Sequence, residues 1–525
     1  MALDSNVKVV LPERGIAFKK VSGKIYVYYV TATYRNEKGQ PTCTRASIGR
    51  LDEESGMLVP NRNYYEIYLK TPMPVTTGIY HCGLHFVFDE ITKKLGITKL
   101  LKMYFPENYK EILTVAQYML SEGNVMYYLE DYTQEHQTAL NERMGSAQSS
   151  RLFSGMRQED MLLFFREWMK HKHSDEYVAY DVTSISSYSK QIEELEWGYN
   201  RDKERLPQIN MGMYYGEASG LPLYYRIYPG SISDKAHMQH MIADNEFING
   251  KKTRFVMDRG FYSADNLRFL AENGYRFVIA LPGSLKYCTN LVRKNKGSLV
   301  NRSEYMLGKG LPYGKAYEIN ELGFRMKVHL YYDPDKALRE SESLYELIER
   351  QENDLRSMEE PPDRKLKYDK YFNINRSKDG KLSFVRNHNA IDEQLEKCGF
   401  FMIAETDFRK TTAEILEIYR SRNVVEKSFD SLKNELDMKR THCHTSETLS
   451  GKLFVSFISL IVRSYMLNHL SGHMQSTVST FRKILLDLDK IKCLDLNAKA
   501  KPRLLNPLSK SQRDILQLLL LPFPT

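Results

Sequence analysis

Tyr177-Val178-Ala179-Tyr180-Asp181-Val182-Thr183 and Arg254-Phe255-Val256-Met257-Asp258-Arg259-Gly260 are two short apolar runs, each leading into an aspartate. Runs of this length, rich in β-branched and aromatic residues, read as strands. Around them the chain reads β-β-β-α-β-α-β. A strand ends at Asp181, and strands near Gln208 to Tyr215 and Leu221 to Tyr228 are joined by a turn through Gly220. A helix over roughly Lys235 to Phe247 leads to the strand Arg254 to Met257, which delivers Asp258. A second helix, N-capped by Ser263, precedes the strand Arg276 to Leu281.

That order is the order of a ribonuclease-H-like fold, in which the first and fourth strands lie side by side. The fold class read here is α/β: a ribonuclease-H-like catalytic core, a mixed sheet flanked by helices, with an inserted, mixed, partly β subdomain. An N-terminal β and then helical region precedes it. The closing helix with a third carboxylate comes only after residues 283–398. That insertion holds a hairpin candidate from Tyr317 to Tyr332 around Gly323 and a charged helix near Leu338 to Met358 ended by Pro361-Pro362. A strand near Leu382 to Val385 follows Asp379-Gly380. An insertion of this size reads as a subdomain looped out of the core. The boundaries are 1–75 (β-rich, with a turn at Asn36-Glu37-Lys38-Gly39), 76–175 (helical), 176–282 and 399–465 (core), 283–398 (insertion) and 466–525 (helical).

The strand Phe400 to Ala404 and a long helix from Thr411 complete the core. At about 100° per residue, Tyr419, Arg422, Glu426 and Lys433 share an arc of roughly 60°. Ile418, Val425, Phe429, Leu432 and Leu436 form the adjacent apolar stripe that packs on the sheet. Glu426 could simply pair with a neighbouring Arg or Lys on a solvated face. Set beside Asp181 and Asp258, it instead completes three isolated carboxylates, a donor set suited to Mg²⁺, with Mn²⁺ as a substitute. Two ions about 4 Å apart would serve an in-line displacement at phosphorus. Arg422 suits bidentate phosphate binding, Lys433 offers a point charge, and Tyr419 can stack or hydrogen-bond nearby.

Composition sets the frame. The chain has 525 residues, enough for several domains, and its net charge of +9 suits contact with a polyanion over part of the surface. Six scattered cysteines without a C-x-x-C pair argue against a disulfide framework and for a reducing, cytoplasmic compartment. His442-Cys443-His444 lacks zinc-ligand spacing and reads as a loop. Apolar runs such as Leu453 to Val462 are too short to span a bilayer, so no membrane partner is expected.

Tyr419-x2-Arg422-x3-Glu426-x6-Lys433 resembles the Y-R-E-K signature of DDE transposases from bacterial insertion sequences. Asp258-Arg259-Gly260-Phe261-Tyr262-Ser263 and Tyr180-Asp181-Val182-Thr183 resemble that family's two aspartate motifs, and the likeness runs over about 176 to 465, including Gly451-Lys452-Leu453-Phe454. The spacings of 77 and 168 residues between the three acids suit members with a largely β insertion, although the charged helix here departs from that pattern. The resemblance implies metal-dependent cutting at the ends of a mobile element, then attack of the freed 3′-hydroxyl on target DNA. Asp181, Asp258 and Glu426 would hold the metal ions, while Tyr419, Arg422 and Lys433 would hold DNA at the cleaved phosphate. It also implies a homodimer on double-stranded DNA carrying paired terminal inverted repeats, with residues 76–175 as a possible end-binding region.

Further contacts are expected from Arg259, beside the second aspartate, and from Lys439 and Arg440, after the signature helix. The basic stretch from Lys286 to Lys315 could track a phosphate backbone as a loop. Trp197 could receive a flipped base, though a packed core tryptophan is the simpler expectation. Asp234 and Glu217 read as supporting acids. Two rival readings stand beside a transposase: a ribonuclease-H-like nuclease or resolvase without strand transfer, and a non-catalytic DNA-binding descendant.

Overall fold

The structure is a computed structural model that describes residues 8–524 except 22, 36–38, 72–78, 172–175, 201–203, 234–235, 237, 239, 241, 243–252, 301–302, 359–367, 377–381, 478 and 495–502. Asp234, Pro361-Pro362, Asp379-Gly380, most of the expected helix Lys235 to Phe247 and most of the turn at Asn36 therefore lie outside the described residues. Ala236, Met238, His240 and Ile242 are helical.

Eight strands make the central sheet: β1 (Tyr177–Ser186), β2 (Gln208–Gly216), β3 (Pro222–Pro229), β4 (Arg254–Met257), β5 (Arg276–Ala280), β6 (Tyr313–Ile319), β7 (Met326–Tyr332) and β8 (Phe400–Glu405). Their spatial order is β6-β7-β8-β5-β4-β1-β2-β3. β1 runs parallel to β4, and β4 to β5, while β2 is antiparallel to both β1 and β3. The run β3-β2-β1-β4-β5 is thus the ribonuclease-H-like arrangement expected from the element order. Every residue of β1 and β2 is buried, which explains their near-continuous apolar character.

Two features depart from the sequence reading. β1 does not end at Asp181 but continues to Ser186, paired with β2 from Val178↔Gly216 to Ser186↔Gln208. β4 is only four residues long, so β1 loses its parallel neighbour after Tyr180 while keeping its antiparallel one. The hairpin β6–β7, read as part of a looped-out segment, extends the core sheet instead, through antiparallel pairing of β7 with β8.

The rest of that segment has its own small core. Leu344, Ile348 and Leu355 of the helix Pro334–Arg356 pack with Tyr371, Phe372 and Ile391. Asp333 caps this helix by accepting from the backbone N–H groups of Asp335 and Lys336, and proline fills its first turn. The basic stretch read as a loop begins with a helix, Lys286–Leu299, that buries Cys288, Val292 and Leu299. Its many lysines and arginines obscured that spacing.

The N-terminal strands Ile16–Val21, Lys24–Arg35, Pro41–Leu51 and Leu58–Pro60 form a separate antiparallel sheet over Val27, Ile48 and Leu58. Helices from Gly83–Lys94 through Gln158–Trp168 then close around a long helix, Ser446–Ser476. Gly451 of that helix lies so near the helix Ser146–Ser154 that an added Cβ would sit 2.1 Å from the Phe153 carbonyl oxygen. Ser459 donates to the Ala116 carbonyl at 2.8 Å. The long helix is long and apolar enough to cross a membrane, yet 83% of its most apolar stretch is buried inside this chain. The carboxy-terminal region is not purely helical. Lys492–Leu494 pairs antiparallel with Ile79–His81 and with Arg503–Leu504.

Candidate active site

The parallel pairing Tyr180↔Met257 puts the next residue of each chain segment, Asp181 and Asp258, at the same edge of the sheet. Each aspartate accepts a hydrogen bond from the following backbone amide. Val182 donates to Asp181 Oδ1 at 2.8 Å, and Arg259 donates to Asp258 Oδ1 at 2.7 Å. Asp181 is 3% exposed, whereas Asp258 is half-buried beside a cavity.

The third element arrives by a capped helix, α1 (Thr412–Ser421). Thr411 and Glu414 form a reciprocal capping box, with the Thr411 amide donating to Glu414 at 2.8 Å. The hydrogen bonding of that box holds the Glu414 carboxyl down at about 2. The chain does not continue as one long helix. It breaks at Arg422, restarts as α2 (Asn423–Asp430), and then widens into a π-helical turn over Ser431–Glu435. The predicted apolar stripe of Ile418, Val425, Phe429, Leu432 and Leu436 is buried throughout.

Arg422, at the break, gathers the site. Its Nη2 donates to Glu426 Oε1 at 2.8 Å, and its Nη1 lies 3.9 Å from Asp181 Oδ2. Its guanidinium carbon is 5.6 Å from the centre of the Tyr419 ring. The Tyr419 hydroxyl reaches Asp258 Oδ1 at 3.4 Å. Burial pushes that hydroxyl up to about 12, and Asp258 adds to the effect. Burial also works against the charge on Arg422, but Tyr419, Asp258, Glu426 and Asp181 together raise its pKa. Arg422 is 9% exposed, and its Nε is buried with no hydrogen-bond partner among the described residues. The simple pairing of Glu426 with a neighbouring arginine is therefore present, but the same arginine also reaches the buried aspartate.

The other basic candidates fall into two groups. Lys433 is buried, and Arg440 forms an ion pair with Glu204 while lying 5.2 Å from the Tyr188 ring centre. Glu204 is held below its ordinary range by Arg440 first and by Lys433 at longer range. Lys439 and Arg259 are exposed. The Lys439 carbonyl accepts from the Ser186 amide at 3.3 Å, so Lys439 and Arg440 dock at the far end of β1. Ser186 is five residue steps along the strand from Asp181, about 17 Å at the usual rise.

A cavity of about 1180 Å³ opens beside Asp258 and Arg259, and Lys336, Arg339, Lys370 and Lys397 line it. These four cations come from three stretches of the insertion, Lys336 and Arg339 from one helix and Lys370 and Lys397 from beyond it, and nothing in the local sequence marks the three stretches as neighbours. Trp197 is 67% exposed, so it is not a core residue. Glu217 lines a different cavity with Arg254 and Asp407, and burial raises its carboxyl. Cys443 is buried between two exposed histidines.

Sheet order and paired aspartates define a ribonuclease-H-like protein. Within that class, the profile of the transposase DDE domain family matches residues 172–462, and the chain belongs to this family. The family implies a metal-dependent, nucleic-acid-cutting enzyme that generally uses divalent ions. Among solved structures, the chain is similar to the cryo-EM structure of the piggyBac transposase synaptic complex with hairpin DNA. Identity is 11% and the TM-score 0.33, over 83% of this chain and 77% of that one. No curated protein matches.

Proposed function

We propose that this chain cuts the ends of an insertion sequence and joins the freed 3′-hydroxyl to target DNA, with Asp181, Asp258 and Glu426 holding two Mg²⁺ ions, or Mn²⁺ in their place. The carrying observation is the convergence of Asp181 and Glu426 on Arg422, with Asp258 at the same sheet edge. The donor atoms are all carboxylate oxygens, which suits a hard cation. Carboxylates gathered at one place repel one another, and a bound cation would relieve that repulsion. When bound, the ions would activate the attacking oxygen and stabilise the leaving one.

The chain's own groups supply the rest. Arg422 exchanges its carboxylate partners for a phosphate, which it can grip through two parallel N–H bonds. Tyr419 orients Asp258 through its hydroxyl. Arg259 contacts DNA next to the cut, Lys433 and Arg440 contribute positive charge, and Lys439 contacts the backbone about 17 Å along β1. In cleavage, water attacks phosphorus and the P–O3′ bond breaks, leaving a 3′-hydroxyl and a 5′-phosphate. In joining, that hydroxyl attacks a target phosphorus and displaces a target 3′-oxygen. The substrate is double-stranded DNA with paired terminal inverted repeats, bound by a homodimer in the cytoplasm.

The test is a supercoiled plasmid carrying the element ends, incubated with the protein and Mg²⁺. Cut and joined products are expected, and Glu426→Gln abolishes both while leaving end binding intact in a gel shift. Cuts without joined products would indicate a nuclease. Binding lost in step with cleavage would make Glu426 structural.

A further inference from the structure

Away from these acids, three segments bring a nitrogen- and oxygen-donor cluster together. His81 ends the strand Ile79–His81, His136 follows the helix Leu129–Glu135, and Asp489 ends the helix Phe481–Asp489. Among the described residues, these are the three His, Cys, Asp or Glu side chains whose donor atoms all lie within 4.8 Å of one another. His136 Nε2 is 2.9 Å from Asp489 Oδ1, and His81 Nδ1 is 3.2 Å from Asp489 Oδ2.

The hydrogen-bond chemistry around His136 asks for a cation. Its Nδ1 faces the Tyr132 carbonyl at 3.0 Å, an acceptor that only an N–H can satisfy. In a neutral ring Nε2 then carries the lone pair, which would point at a carboxylate oxygen. Either a second proton or a metal ion must lie between them. A backbone carbonyl holding the distal N–H is the usual support for a metal-ligating histidine. His81 is placed differently: the Nδ1 that faces Asp489 Oδ2 also lies 2.6 Å from the Asp489 carbonyl oxygen, an acceptor it would give up on binding an ion.

The distances fit a particular kind of ion. Ligands 2.0–2.2 Å from a tetrahedral Zn²⁺ lie about 3.3–3.5 Å apart. The observed 2.9 Å from His136 to Oδ1 and 3.2 Å from His81 to Oδ2, one oxygen of the carboxylate for each histidine, need only a few tenths of an ångström of widening. The backbone is already clamped around the cluster. Gln137 N–H donates to the His81 carbonyl at 3.0 Å, Cys82 N–H to the Ile491 carbonyl at 2.9 Å, and His81 pairs with Lys492. Tyr132 stacks on His136 at 4.0 Å. A cavity of about 370 Å³, lined by His136, Asp489 and Tyr132, leaves the cluster open for an ion to enter and for water to complete its coordination.

We propose that His81, His136 and Asp489 form a site for a divalent ion of the Zn²⁺ type, tying the helical region before the core to the carboxy-terminal region. It is separate from the three acids and does not depend on the proposed activity. The full-length protein, stripped with chelator, is titrated with Co²⁺ as a spectroscopic stand-in. One equivalent is expected to give visible absorption characteristic of nitrogen and oxygen ligation, and Zn²⁺ should displace it. His136→Gln and Asp489→Asn should each weaken binding at least about 100-fold, since loss of a ligand exceeds the usual cost of losing its support. Glu426→Gln should leave the absorption unchanged. Absence of the band in the wild-type protein would overturn the proposal and leave His136 and Asp489 as a hydrogen-bonded pair. A band that survives both ligand substitutions, or that disappears in Glu426→Gln, would overturn it too.

Discussion

Arg422→Gln tests how the three acids are held. In the structure the guanidinium stands 3.9 Å from Asp181 and 2.8 Å from Glu426. With an effective dielectric constant of 20, the attraction to Asp181 has a gross size of about 4 kcal/mol. Glu426 is half exposed, so solvent screens its share to below about 1 kcal/mol. Removing one member of a buried pair typically costs about 3–5 kcal/mol, because the other charge stays behind. We therefore expect Arg422→Gln to lose about 3 kcal/mol of stability in chelator. A divalent ion would replace the missing charge. At one hundred times its dissociation constant, such an ion returns about 2.7 kcal/mol. Urea melts of both proteins, in chelator and in Mg²⁺, are the assay. The substitution should cost much less with Mg²⁺ present than without it. Equal losses in the two buffers would refute the claim that arginine and metal answer the same carboxylates.

Gly451→Ala should destabilise the protein by about 1–3 kcal/mol through overpacking against the Phe153 carbonyl, although the same change in an open helix stabilises; a thermal melt gives the sign directly. Glu414 offers a pH test. Its carboxyl is held at about 2 rather than the ordinary 4.5, so its contribution is complete above 4.5 and disappears as the pH falls from 4.5 towards about 2. The stability difference between wild type and Glu414→Gln should shrink across that window, as an acid titration of the two proteins would show.

Much of the core was legible because its pattern is local. Tyr177 to Tyr180 and Arg254 to Met257 are buried parallel strands, and such strands announce themselves as short apolar runs. The stripe Ile418, Val425, Phe429, Leu432, Leu436 stayed readable for the same reason. What failed depended on pairing or on a break. The apolar run Tyr177 to Tyr180 reads as a strand ending at Asp181, yet β2 continues alongside β1 to Ser186. The hairpin β6–β7 joins the sheet only because β8 returns from beyond the insertion, a long-range event invisible in either segment. The helix break at Arg422 carries no proline or glycine to signal it. The cations lining the Asp258 cavity come from three stretches, around Lys336, Lys370 and Lys397, and His81, His136 and Asp489 likewise come from three.

The burial of Ser446–Ser476 bears on any attempt to work with a shortened protein. The family match stops at 462, inside this helix, and its greasy sides are shielded by residues that precede the match. A fragment trimmed to the matched span would sever the rod and strip its sheath, leaving a sticky stump where the native chain has an interior. The smallest unit worth expressing begins before the strand Ile79–His81 and runs through the helix Lys510–Leu518, whose Ile515 and Leu516 share the same core.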